Sequence, residues 1–113
     1  MEGKKYKLSA GANEDLVAKM GFCLASDKIT VDGLPVGYMY REEPEEEDDS
    51  GWRFLSGTEE QDYVDNPENS GIFEVNTIAN YDKAIVYYLK MPYGTEMERI
   101  PGEDKFRKIT NSE

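Results

Sequence analysis

Two neighbouring stretches hold the residue types most able to do chemistry. In Glu42-Glu43-Pro44-Glu45-Glu46-Glu47-Asp48-Asp49, seven of eight residues are acidic. Asp49-Ser50-Gly51-Trp52 then joins an acid and two turn formers to the only tryptophan, and Arg41 stands just ahead of the acidic run. Paired carboxylates can divide general acid and base roles, and clustered ones can ligate a hard cation. Neither reading is specific here. A chain with 24 Asp and Glu residues brings some carboxylates together in any fold, and the run lacks the D-x-[DN]-x-[DN]-G order of a calcium loop.

The missing residue types narrow the options further. There is no histidine, which removes the commonest general base, the Ser-His and Cys-His nucleophile systems and the usual zinc ligand set. A single cysteine excludes Cys-rich zinc and iron–sulfur sites. No G-x-x-x-x-G-K-[ST] or G-x-G-x-x-G element is present to cradle phosphates. No catalytic residue, metal site or cofactor is therefore assigned, and binding is expected in place of catalysis.

The candidate partner-contact residues are Tyr40, Arg41, Glu45, Glu46, Glu47, Asp48, Asp49 and Trp52. Trp52 reads as a core anchor entered through a tight turn at Gly51, or as the wall of a binding cleft. Arg41 reads as the partner of a nearby carboxylate, or as a bidentate reader of a carboxylate on another protein. The formal net charge of −11 repels phosphate backbones and anionic membranes. It attracts a basic protein, and it also keeps the chain soluble.

These residues need elements to hold them. Val36, Tyr38 and Tyr40 alternate with Gly37, Met39 and Arg41, and Trp52 and Phe54 alternate with Arg53 and Leu55. Adjacent antiparallel strands are expected, with Val36, Tyr38, Tyr40, Trp52 and Phe54 on one core face. The acids between them form an exposed, mobile connection with little contact to the rest of the chain. Upstream, Asn13 caps a short helix carrying Leu16, Val17 and Met20 and ending at Gly21. A strand over Phe22–Ala25 follows, and Asp32-Gly33 turns between two short extended runs. Downstream, Thr58 and Gln61 read as a capping box opening a helix that Pro67 stops. Ile72–Ile78 reads as a strand. Asp82 caps a helix whose Ala84, Ile85, Tyr88 and Leu89 share one face, and Thr95, Met97 and Arg99 alternate in a last strand.

Strands and helices intermix with too few long crossovers for a doubly wound parallel sheet. The expected class is α+β, a mostly antiparallel sheet of about 4–6 strands with two or three short helices. At 113 residues the chain is one domain, with a flexible arm over 1–12, a folded unit over 13–100 and a polar, fraying tail over 101–113. Cys23 lies in an apolar run and is expected to be buried. No intrachain disulfide is available, and neither a signal peptide nor a membrane span is read, so the expected compartment is the cytoplasm.

Several segments taken together are similar to a known family. They are Ser26-Asp27-Lys28-Ile29, Val36-Gly37-Tyr38-Met39-Tyr40-Arg41-Glu42, and Asp49-Ser50-Gly51-Trp52-Arg53-Phe54 with Gly57 and Glu59. Val75-Asn76-Thr77-Ile78, Tyr81-Asp82, Leu89 and Pro92-Tyr93-Gly94-Thr95 extend the match. From Phe22 to Arg99 the chain resembles the bacterial immunity protein 33 family. The resemblance implies a cytoplasmic protein that protects a bacterium from a polymorphic toxin by binding it, and it supplies no catalytic residues. The alternative is a stand-alone ligand-binding or regulatory module whose cleft includes Trp52. If the toxin acts on nucleic acid, its phosphate-holding surface is basic, and the acids Glu45 to Asp49 would imitate the phosphate field.

Overall fold

The computed structural model describes residues 4–8 and 13–109. Six strands form one mixed sheet: β1 (Phe22–Ser26), β2 (Tyr38–Arg41), β3 (Asp49–Leu55), β4 (Ser70–Glu74), β5 (Glu96–Arg99) and β6 (Phe106–Lys108). Their order is β4-β1-β3-β2-β5-β6. Only β1 and β3 run parallel; every other neighbour is antiparallel. Three short α-helices, α1 (Asp27–Thr30), α2 (Gln61–Asp65) and α3 (Val75–Tyr81), join 3-10 turns at Pro67–Asn69 and Lys83–Tyr88. The class is α+β, as expected.

The register sorts the strand side chains into two unlike faces. Met39 pairs with Phe54 and with Met97, Arg41 with Trp52, Ala25 with Phe54, and Cys23 with Phe73. These point toward α1, α3 and the 83–88 turn, where Ile29, Val75, Ile78, Ala79, Ile85 and Leu89 complete the core. The antiparallel pairing of β2 and β3 was legible. The shared face was not: Tyr38 pairs with Leu55 and Tyr40 with Arg53, on the side opposite Trp52 and Phe54. Val36 is buried in the core, but it precedes β2 and does not share its alternation. Met39 has no polar atom to satisfy and takes the core position. The two tyrosines lie half-buried on the open side, where the Tyr38 hydroxyl donates to Glu96.

Other expectations change for identifiable reasons. Residues 13–20 form no helix. Asn76 and Asn80 of α3 take their backbone groups instead: Asn76 Oδ1 accepts from the amides of Leu16 and Val17 at 2.8 and 3.1 Å, and Asn80 Oδ1 accepts from Glu14 at 2.8 Å. The Ile72–Ile78 run splits, its second half becoming α3, because Val75, Ile78 and Ala79 repeat at helical spacing and bury one face. The Asp32-Gly33 turn follows α1 rather than joining two strands. Helix α2 begins at Gln61 after Glu60 without a side-chain cap; Thr58, the expected cap, bonds the Ser56 hydroxyl instead, and the Glu59 carboxylate accepts from the amides of Ser56 and Gly57. Asp82 does cap, accepting from Ala84 at 3.1 Å, but the turn that follows is 3-10.

The described residues of the expected arm and tail, 4–8 and 101–109, include some that contact the sheet and helices, and residues 110–113 lie outside the described residues. Within the expected flexible arm, the Lys7 amide donates to the Thr30 carbonyl at 2.8 Å and Tyr6 packs edge-on against Phe73; residues 1–3 and 9–12 lie outside the described residues. Within the expected fraying tail, β6 pairs with β5 and buries Phe106 against Tyr88.

Candidate functional site

One side of the sheet is packed under helices, and the other is the open side. That open side is built around Arg53. Its Nε donates to Glu42 at 2.7 Å, its Nη1 and Nη2 donate to the two Asp49 carboxylate oxygens at 2.9 and 2.8 Å, and Nη1 also reaches the Trp52 carbonyl at 3.1 Å. Four of the five guanidinium donors are thus consumed within the protein. Asp49 and Arg53 are four apart on one strand, a separation of roughly 13 Å if fully extended. A break in β3 closes that gap: the β1–β3 register is irregular between Phe22 and Leu24, and Gly51 has a φ of +90°. The Arg53 guanidinium bonded to Asp49 holds that carboxyl well below the usual carboxylate range, with further help from the Glu45 and Gly51 amides.

The clamp fastens both ends of the acidic run to the sheet. The Glu45 amide donates to Asp49 Oδ2 at 3.0 Å, the Asp49 amide to the Glu46 carbonyl at 3.1 Å, and the Phe22 amide to the Asp48 carbonyl at 2.7 Å. The segment is exposed from Glu42 to Asp48, as expected, but Asp49, expected to share that exposure, is half-buried at the start of β3, and the run is not free of the rest of the chain. Glu43, Glu45, Glu46, Glu47 and Asp48 form no ion pair among the described residues.

The other candidate residues divide. Tyr40 lies beside Arg53 on the open face, and burial first, then the nearby Glu42 charge, pushes its phenol upward. Arg41 is on the core side. It makes no carboxylate pair among the described residues: its Nε donates to the Ser50 carbonyl at 2.9 Å and its Nη1 to the Met91 carbonyl at 2.9 Å. The guanidinium lies 4.7 Å from the Tyr93 ring centroid and 5.7 Å from that of Trp52, supplying donors to carbonyls beyond the 83–88 turn. Trp52 is 0% exposed, stacks on Phe54 and donates from Nε1 to the Leu89 carbonyl at 3.0 Å. It is the core anchor and forms no cleft wall.

Residues outside the expected set complete the surface. Phe22 and Leu24 of β1 are 39% and 38% exposed, and Ile72, paired with Leu24 across β4, is 71% exposed. They line a hollow with Glu45, Glu46, Asp48, Asp49 and Arg53. A second hollow continues toward α2, where Tyr63 and Val64 stand over Leu24, Tyr40 and Leu55. The signal was present in the alternation of Phe22 and Leu24 with Cys23 and Ala25. A continuous apolar run conceals which alternate residues face outward. Among the described residues, no group of three or more His, Cys, Asp and Glu side chains is placed to hold a metal ion.

The structure therefore defines a small α+β domain with one helix-covered sheet face and one open face that is apolar in part and acidic along one margin. Its sequence matches the family model described as Immunity protein Imm33 domain over residues 23–110. The chain belongs to that immunity protein family. No curated protein and no solved structure matches it.

Proposed function

We propose that this chain is an immunity-type binding protein that neutralises a bacterial polymorphic toxin by occluding the toxin's active surface, acting by binding rather than catalysis in the cytoplasm. The observation that carries the reading is membership of the immunity family across residues 23–110. Physical features support it. The open face offers apolar contact area next to five acids that form no ion pair among the described residues, and the net charge is −11. Such a surface repels nucleic acid and anionic lipid and draws a basic protein. A toxin that handles nucleic acid needs a basic surface to hold phosphates, and the run from Glu45 to Asp48 presents anions in their place, Asp49 being held by Arg53. A ligand-binding module is less well supported, because the guanidinium in the hollow has already spent most of its donors internally.

Co-expression with a flanking-gene product that arrests growth on its own tests the proposal. Growth should be restored and the two proteins should co-elute as a stoichiometric complex. Growth arrest that persists while this protein is present and soluble overturns it.

A further inference from the structure

Three apolar residues meet where β1 and β4 pair at the margin of the sheet. Isolated exposed apolar side chains are ordinary on a protein surface. Here Leu24 and Ile72 are direct cross-strand partners, and Phe22 is the next residue on the same face. Ile72 is 71% exposed, an unusual place for a β-branched aliphatic residue on a sheet face unless something covers it. The wall of this hollow is Glu45, Glu46 and Asp48. The wall is held in place by the Phe22 amide on the Asp48 carbonyl and by the Glu45 amide on Asp49, so little ordering is lost on contact.

Resting on the immunity reading, we infer that this hollow receives an apolar side chain of the toxin that is flanked by lysine or arginine. Charge selects the occupant. Glu42 and Asp49 are both bonded to Arg53, which leaves the wall acids, unpaired among the described residues, as the charge a newcomer meets. An anionic or neutral segment gains nothing from them, while a cation on either side of the inserted residue pairs with them at the rim. A second copy of this chain is disfavoured, because a symmetric contact through this face would bring two acidic walls together. The apolar insertion governs how slowly the complex parts, and the acidic wall governs how fast it forms.

The test measures association and dissociation of the growth-arresting flanking-gene product identified by co-expression, using the full chain and three variants. Leu24→Ser with Ile72→Ser removes apolar area from an exposed site. Glu45→Gln with Glu46→Gln and Asp48→Asn removes charge. Tyr87→Ser, at a residue 88% exposed on the helical side, is the control. The serine pair should weaken binding by about 30-fold or more, mostly through faster dissociation. The charge variant should slow association by about tenfold at low salt and lose most of its salt dependence. Circular dichroism checks that each variant is folded. Wild-type affinity in the serine pair, with loss on Tyr87→Ser, overturns the surface and leaves the immunity reading standing. A wild-type protein that forms a dimer, broken by the serine pair, overturns the choice of occupant. Absence of any toxin binding by the wild type overturns both this inference and the immunity reading.

Discussion

Replacing Gly51 by alanine should be among the most damaging single-methyl additions in this protein. Its φ of +90° is a region that L side chains rarely adopt, and a Cβ built there lies 2.2 Å from the Glu42 carbonyl oxygen. The backbone strain alone costs about 1–2 kcal/mol. The contact is with backbone, so it is relieved only by moving the Glu42 peptide, whose amide donates to the Gly51 carbonyl at 2.9 Å. Weakening that bond adds about 1 kcal/mol, and displacing Glu42 from Arg53 adds to it. The total is about 3 kcal/mol, a large share of the roughly 5–15 kcal/mol typical of a domain. With a urea slope near 2 kcal/mol/M, the unfolding midpoint should fall by about 1.5 M. Gly94→Ala separates the two causes. Its φ is +93°, but nothing lies within 4 Å of the added methyl, so only the strain applies. Midpoints for the two variants that cannot be distinguished would refute the claim that β3 is pressed against Glu42 at its bend.

Two further outcomes follow from the same geometry. Asp49→Asn should cost about 1–3 kcal/mol near neutral pH, since a buried guanidinium loses its bidentate anion. Because the folded-state Asp49 carboxyl is held below its unfolded value of about 3.9, its contribution is complete above that value and is lost as pH falls toward the folded one. The stability gap between wild type and Asp49→Asn should therefore narrow from pH 5 downward in denaturation at stepped pH; a constant gap would contradict the ion pair. The single tryptophan should be shielded from acrylamide in the folded protein, and its quenching should not change when the toxin domain binds. Strong quenching in the free protein would contradict its burial.

The α+β class, the β2–β3 pairing, β1, the Asp82 cap and the exposure of the acidic run could all be read from local pattern. The face assignment could not. Tyr38 and Tyr40 carry more area than Met39, yet a hydroxyl that must find a partner favours the half-open side, and hydropathy alternation does not register that preference. Residues 13–17 carry helix signals that lose to Asn76 and Asn80, some sixty positions away in sequence. Trp52 took the core-anchor reading and not the cleft-wall one, and the expected carboxylate partner went to Arg53 instead of Arg41. Both outcomes follow from the register that sets Arg41 opposite Trp52 and Tyr40 opposite Arg53. No local pattern specifies a register across the acidic connection. The apolar part of the open face was hidden because Phe22-Cys23-Leu24-Ala25 is apolar throughout, so only the strand's neighbours determine which residues face outward.

Amide hydrogen exchange of the protein, alone and with a flanking-gene product that arrests growth on its own and is relieved by this protein, tests the central claim most directly. Binding through the open face should slow exchange in the segment 43–48 and along β4, while the turn at Lys83–Tyr88 on the helical side keeps its free-state rate. Protection confined to that turn and α3, with the 43–48 amides unchanged, would contradict it.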